Sequence, residues 1–416
     1  MRDVAKTSVR LDAAVDKNVE MNKPTIAYAV SITGCDDKDR LFTAAHGAAV
    51  LAHSIRKVSA ENRGGLGYPH KMIAFIHPDA ARCSEDDLTE LGYEVMIRDT
   101  PVAVSDIKGK YLRENIASTG CCGERELVKL YAYTLTEYPI VVHLDLDVLI
   151  LKPIDEMFDS MLYGPESPSR QMVQVQFGQP MPRIIDAYFA RDYMGVYWGG
   201  RKPVGVHGGF FVVRPSKAAF QELVDVVRQG DYTPESGWAR TGHGRCHGGE
   251  TIQGLLPYYY DILHPGTAVE LNRCIYNVVA DNPRDREGNC IAGVDPTSKS
   301  CEDCREASMD QIKVAHFTYC QKPWLCRNLD GPVNFTSDNQ TDRSAIRLCI
   351  EMQREWFLMR KDLDKSFPTF HESAINDHQR DKQMKKGMFK PDQFQGYCRE
   401  FGKKGYIPFD SSVLNK

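Results

Sequence analysis

Two aspartates stand two residues apart in an otherwise apolar run, "VVHLDLDVLILKPIDEMFD" (141–159). Asp145 and Asp147 interrupt a stretch of Val, Leu and Ile that suits a buried strand. In a strand, residues two apart point to the same side, so both carboxylates could face one point. Left alone they would repel, and burial would raise their pKa values. A divalent cation removes both problems. The plain alternative is that they close a strand and cap a turn. A second apolar run, "VAHFTYCQKPW" (314–324), carries His316 and then Lys322. A neutral imidazole is a metal ligand. The ammonium six residues later offers charge to phosphate oxygens. Lys129, in the helix expected before the Asp-x-Asp strand, is by default a solvated lysine.

Positioning these groups requires a scaffold, and the chain reads as an alternation of strands and helices. Strands are expected at 25–33, 71–77, 93–99, 140–147, 207–215, 274–280 and 312–318. Helices are expected at 41–57, at 84–92 with Ser84 as its cap, and at 124–138, 216–229 and 341–363. This alternation predicts an α/β open sheet with crossover helices, whose ligands collect at the carboxyl ends of the strands. Residues 1–23 read as a flexible tail and 24–325 as the α/β domain. Residues 326–416 read as a C-terminal extension, with the helix at about 341–363 followed by irregular chain.

The 416 residues are 42% hydrophobic and 26% charged, ordinary values for a folded globular chain. The formal net charge of −4 gives no basic field for nucleic acid or an anionic membrane. No run approaches the roughly 18–20 apolar residues of a membrane span. The polar start lacks the apolar core of a signal peptide, so the expectation is a cytosolic protein or an anchor outside this chain. Thirteen cysteines admit two readings. They form disulfides in a secretory lumen, or "CEDC" (Cys301 and Cys304) belongs to a zinc knuckle. The knuckle lacks a clean second pair, which favours disulfides. Two sequons, at Asn334 and Asn339, point the same way.

Taken together, "ELVKLYAYTLTEYPIVVHLDLDVLILKPIDEMFD" (126–159), "HGGFFVVRPS" (207–216) and "HFTYCQKPW" (316–324) resemble motifs of glycogenin and other family 8 glycosyltransferases. They stand in that family's order over roughly residues 25–325. The resemblance implies a GT-A fold, a Rossmann-like mixed sheet flanked by helices. It also implies transfer of a sugar from a UDP-sugar donor, with retention, to a glycan, protein or small-molecule acceptor. By the same resemblance Asp145, Asp147 and His316 bind a divalent cation. Two hard carboxylates and one imidazole suit Mn²⁺ better than an all-oxygen Mg²⁺ site. Lys322 would add positive charge to the diphosphate, Lys129 would reach the donor from the other side, Asp145 would lie near the ribose, and the loop from Ser31 to Asp37, with Ser31 and Thr33, would hold the uridine. The cysteines and sequons point to the secretory lumen or Golgi as location; the cytosol remains the alternative.

The chain departs from the family in two places. His207 replaces the Asn of "NSG". The family's "DQ-x-x-LN" becomes "GGETIQGLLPYYY" (248–260), where either Gln253 or Glu250 would face the sugar. Glu250 could stabilise an oxocarbenium-like state or simply be a first-turn acid of a helix. "IYN" at 275–277 is glycogenin-like, but the following chain does not support glycogen priming. Two other readings stay open: a catalytically inactive binding module of the same fold, and a haloacid-dehalogenase-type phosphohydrolase, which also uses Asp-x-Asp after an apolar strand.

Overall fold

The computed structural model describes residues 23–35, 44–61, 67–193, 203–282, 284, 290, 302–320, 322–325 and 340–366. Residues 1–22 of the tail expected over 1–23, Cys301, both sequons and the chain after residue 366 lie outside them. In order, the chain forms β1 (Ile26–Ile32), α1 (Ala44–Glu61), β2 (His70–Ile76), α2 (Pro78–Glu90), β3 (Glu94–Ile97) and α3 (Lys110–Asn115). A 3-10 helix (Gly123–Thr134) leads to β4 (Val141–Leu144), β5 (Val148–Ile150), α4 (Asp155–Tyr163), β6 (Ala187–Arg191), β7 (Val206–Val213) and α5 (Lys217–Gln229). The rest comprises β8 (Tyr232–Thr233), β9 (Gly237–Trp238), α6 (Ile252–Tyr258), β10 (Ala268–Glu270), α7 (Arg273–Tyr276), β11 (Val314–His316) and α8 (Gln340–Ser366).

Seven strands form one mixed sheet in the order β10-β6-β7-β4-β1-β2-β3. β4 lies beside β1 and parallel to it, opposite β2, so the strand order reverses between β1 and β4. That is the switch point at which open α/β sheets bind ligands, outside the carboxyl ends of the strands. β7 runs antiparallel to β4, with Leu144 opposite Phe210. Its first residues, His207 to Gly209, therefore lie at the carboxyl end of β4. The α/β class and the mixed sheet flanked by helices are as expected.

Alternation along β1 builds the two faces of the core. Ile26, Tyr28, Val30 and Ile32 pack in one apolar cluster with α1, α4 and α8. The smaller Ala27 and Ala29 join the opposite cluster with Leu127, Val128 and Leu130 of the 3-10 helix. Leu348, Met352, Trp356 and Leu363 of α8 belong to the first cluster, so this helix completes the core of the α/β domain.

Several local expectations are corrected. α2 begins at Pro78, where His77 caps it and Pro occupies the first turn, an arrangement that requires no donor N–H from that residue. Ser84 is buried inside that helix and donates to the Ala80 carbonyl at 2.7 Å. The helix expected over 124–138 is a 3-10 helix ending at Thr134. The strand expected at 274–280 opens as helix α7, because the Asn272 side chain accepts from the Cys274 amide at 2.8 Å and caps it.

Disulfides join Cys35 to Cys83, Cys121 to Cys122, Cys274 to Cys304, and Cys320 to Cys349. Cys304 is thus engaged with Cys274 rather than free for a zinc knuckle. No helix among the described residues is long and apolar enough to cross a membrane.

Candidate metal centre and its pocket

The Asp-x-Asp pair does not converge by strand alternation. β4 ends at Leu144, and Asp145 to Asp147 form a turn closed by the Val148 amide on the Asp145 carbonyl at 3.2 Å. Helix α1 presses on this turn. A Cβ at Gly47 would stand 2.5 Å from the Leu146 carbonyl oxygen, so only glycine admits the approach. β11 then pairs antiparallel with β5 in a register that sets His316 opposite Val148. The Phe317 amide donates to the Asp147 carbonyl at 2.9 Å. Register, not sequence proximity, brings His316 to the aspartates.

One ligand atom each from Asp145, Asp147 and His316 lie within 4.8 Å of one another. His316 Nδ1 meets Asn277 Oδ1 at 2.9 Å, and donation there leaves the lone pair on Nε2. That nitrogen stands 3.3 Å from Asp147 Oδ1, with the Thr318 hydroxyl at 2.9 Å. A Cβ at Gly209 would lie 2.1 Å from His316 Cε1 and 2.9 Å from Asp145 Oδ2, so the strand behind the cluster must be bare. Two carboxylates, an imidazole with an oriented lone pair and a cleared back wall fit a divalent cation.

Electrostatics agree with the geometry. Burial pushes the Asp147 carboxyl up, but His316 and Lys322 outweigh it and hold it well below the usual range. Burial likewise opposes ionisation of Asp145, and Lys129 tips the balance downward. Lys129 Nζ lies 2.9 Å from Asp145 Oδ1 and 3.3 Å from Glu126 Oε1, and donates to the Gly208 carbonyl at 3.0 Å. It is buried, not the solvated lysine of the plain reading. Lys322 pairs with Asp147 Oδ2.

A pocket of about 520 Å³ opens over the cluster. His207 and Gln253 line it, as do Glu126, Asp192 and Tyr319. His207 is 5% exposed and meets His316 edge-on at 4.6 Å between ring centroids. Neither of its ring nitrogens has a hydrogen-bond partner among the described residues. Burial, then His316, lowers its pKa to about 4. Gln253 donates to the His247 carbonyl. Glu250 precedes Thr251, the residue that opens α6, so it is not a first-turn acid. It is buried, accepts from Thr119 at 2.6 Å, and is not among the residues lining the pocket.

Ser31 and Thr33 stand apart from this pocket. The Ser31 hydroxyl bonds the buried His143 ring at 2.8 Å, and the Thr33 carbonyl meets Arg125 at 3.4 Å. Sequence reasoning missed Glu126, Asp192 and the orienting role of Asn277. Glu126 was findable, because it precedes Lys129 by three residues and shares its helical face. Asp192 follows β6 with no motif to announce it.

No family model matches the chain, and no curated protein matches it. Solved structures similar to it include mouse xyloside xylosyltransferase 1, at 10% identity and TM-score 0.36, over 70% of this chain and 97% of that one. Another is the galactosyltransferase LgtC in complex with donor and acceptor sugar analogues, at 13% identity and TM-score 0.38, over 86% and 99%. A third is the glycosyltransferase GlyE of Streptococcus pneumoniae TIGR4, at 11% identity and TM-score 0.35, over 81% and 64%. The functional reading stands on the site's own residues.

Proposed function

We propose that this chain is a metal-dependent glycosyltransferase of GT-A type that takes its sugar from a UDP-sugar donor and retains the anomeric configuration. The observation that carries the reading is the Asp145, Asp147 and His316 cluster at the switch point, with Asn277 orienting the imidazole. A divalent cation held there, Mn²⁺ by its ligand set, supplies Lewis-acid neutralisation of the donor diphosphate. Lys322 adds positive charge beside the diphosphate. Lys129 fixes the Asp145 carboxylate from behind. His207 and Gln253 offer hydrogen-bond partners to sugar hydroxyls, and Glu250 braces the loop through Thr119.

In the step proposed, the acceptor hydroxyl oxygen bonds to the anomeric carbon as the bond from that carbon to the β-phosphate oxygen breaks. The hydroxyl proton passes to the departing phosphate oxygen, which leaves as UDP. The disulfides favour a secretory-lumen setting over the cytosol.

UDP release from a panel of UDP-sugars with Mn²⁺ tests this reading. Release that stops with chelator and in Asp147→Asn supports it. Release untouched by both contradicts it. One observation keeps an inactive binding module in view: the family's acid aligned with residue 252 is Ile252 here, which is fully buried in the core. UDP binding without turnover of any donor would mark that outcome. The phosphohydrolase reading loses its footing, because the Asp-x-Asp turn follows β4 rather than the first strand.

A further inference from the structure

We propose that the donor sugar is neutral and that the pocket rejects uronic-acid donors by charge; this rests on the glycosyltransferase reading above. Four carboxylates line the pocket, from Glu126, Asp145, Asp147 and Asp192, against one ammonium, that of Lys322. No arginine lines it among the described residues. Lys322 is engaged with Asp147, and Lys129 behind the wall serves Asp145 and Glu126 together.

The charge is distributed unevenly. The cation site and Lys322 gather where a diphosphate must lie. Next to it, Glu126, Gln253 and Lys129 meet the same point on β7: a Cβ at Gly208 would stand 3.2 Å from Glu126 Oε1, 3.5 Å from Gln253 Cγ and 3.6 Å from Lys129 Nζ, the ammonium already shared by Glu126 and Asp145. Asp192 holds the Tyr319 hydroxyl at 3.0 Å. His207, 5% exposed and without a hydrogen-bond partner among the described residues, shares this part of the pocket. Carboxylates, an amide and a neutral imidazole accept from and donate to hydroxyls. A sugar carboxylate placed among them meets like charge, with no guanidinium and no uncommitted ammonium to receive it among the described residues. Like-charge juxtaposition of this kind is a strong device against the wrong partner.

The experiment is a donor panel with Mn²⁺: UDP-glucose, UDP-galactose, UDP-xylose and UDP-N-acetylglucosamine against UDP-glucuronate and UDP-galacturonate. UDP release and calorimetric affinity are read for each. The expected result is turnover of at least one neutral donor, with both uronates lower in kcat/KM by about a hundredfold or more. A uronate turned over as well as the best neutral donor overturns the proposal and leaves the glycosyltransferase reading intact. No binding or turnover of any donor overturns both together. Glu126→Gln and, separately, Asp192→Asn should each narrow the discrimination by about tenfold. Discrimination unchanged in both folded variants contradicts charge as its cause.

Discussion

The two walls of the pocket match their charge differently. Around the proposed metal ligands, each carboxylate faces a lysine: Asp145 faces Lys129, and Asp147 faces Lys322, with the His316 ring beside it. In the part of the pocket beside them, Glu126 shares its lysine with Asp145, and the two ring nitrogens of His207 have no partner among the described residues. The first set pairs each charge with an opposite one. The second includes the buried His207 ring, whose nitrogens no described residue meets, which costs stability unless a ligand completes them. Rigid charge on one side and unmet hydrogen-bonding capacity on the other is what a pocket needs to anchor a charged group while recognising a polar one.

The comparison breaks most visibly at Asp147. Asp147→Asn should lower kcat/KM for the donor by at least about a thousandfold, measured as UDP release. Next comes the support behind the metal wall. Cys320 follows Thr318 and Tyr319 of the pocket and is bonded to Cys349 of α8, while Trp324 packs on Trp356 at 6.0 Å. The double change Cys320→Ser with Cys349→Ser should cost about 2–4 kcal/mol in denaturant unfolding and reduce turnover in the same variant. Asn277→Ala should weaken Mn²⁺ binding about 10–100-fold by freeing the His316 ring, with little change in donor preference.

The other wall should respond in the opposite sense. His207→Leu removes a buried ring without a hydrogen-bond partner among the described residues, so stability should change by less than about 1 kcal/mol, or rise. UDP release should nevertheless fall by about tenfold. A large loss of stability in that variant would mean that His207 is structural.

The smallest effect lies farthest from the pocket. Asp362 of α8 meets Lys57 at 2.9 Å and His53 at 3.2 Å on α1, but it is 39% exposed. Its carboxyl is held below the ordinary 3.8, first by the Lys57 hydrogen bond. Its contribution is therefore present above about pH 4 and lost as pH falls below that. Asp362→Asn should cost no more than about 0.5 kcal/mol at pH 7, after solvent screening, and nothing measurable at pH 2–3.

The sheet was legible because β1, β2, β4 and β7 are continuous apolar runs with turn signals between them. β6 and β10 were not, since they are only five and three residues long and adopt their strand form through pairing with neighbours. The proposed metal ligands were legible as residue types, but the reason for their convergence was misread. A turn pressed by α1 and the register of β11 on β5 bring them together, and both are tertiary facts. Asn277 illustrates the same limit: a short motif marked it, yet only the fold carries it to His316 over a separation of 39 residues. Glu126 was readable from its spacing to Lys129, whereas Asp192 reaches the pocket only because β6 lies beside β7.

The most direct measurement is calorimetric titration of Mn²⁺ into the metal-free protein with UDP present, in the native chain and in Asp147→Asn. One site per chain, UDP affinity that depends on Mn²⁺, and loss of both in the variant are the results expected. Equal Mn²⁺ and UDP binding by the native chain and the variant would contradict the account.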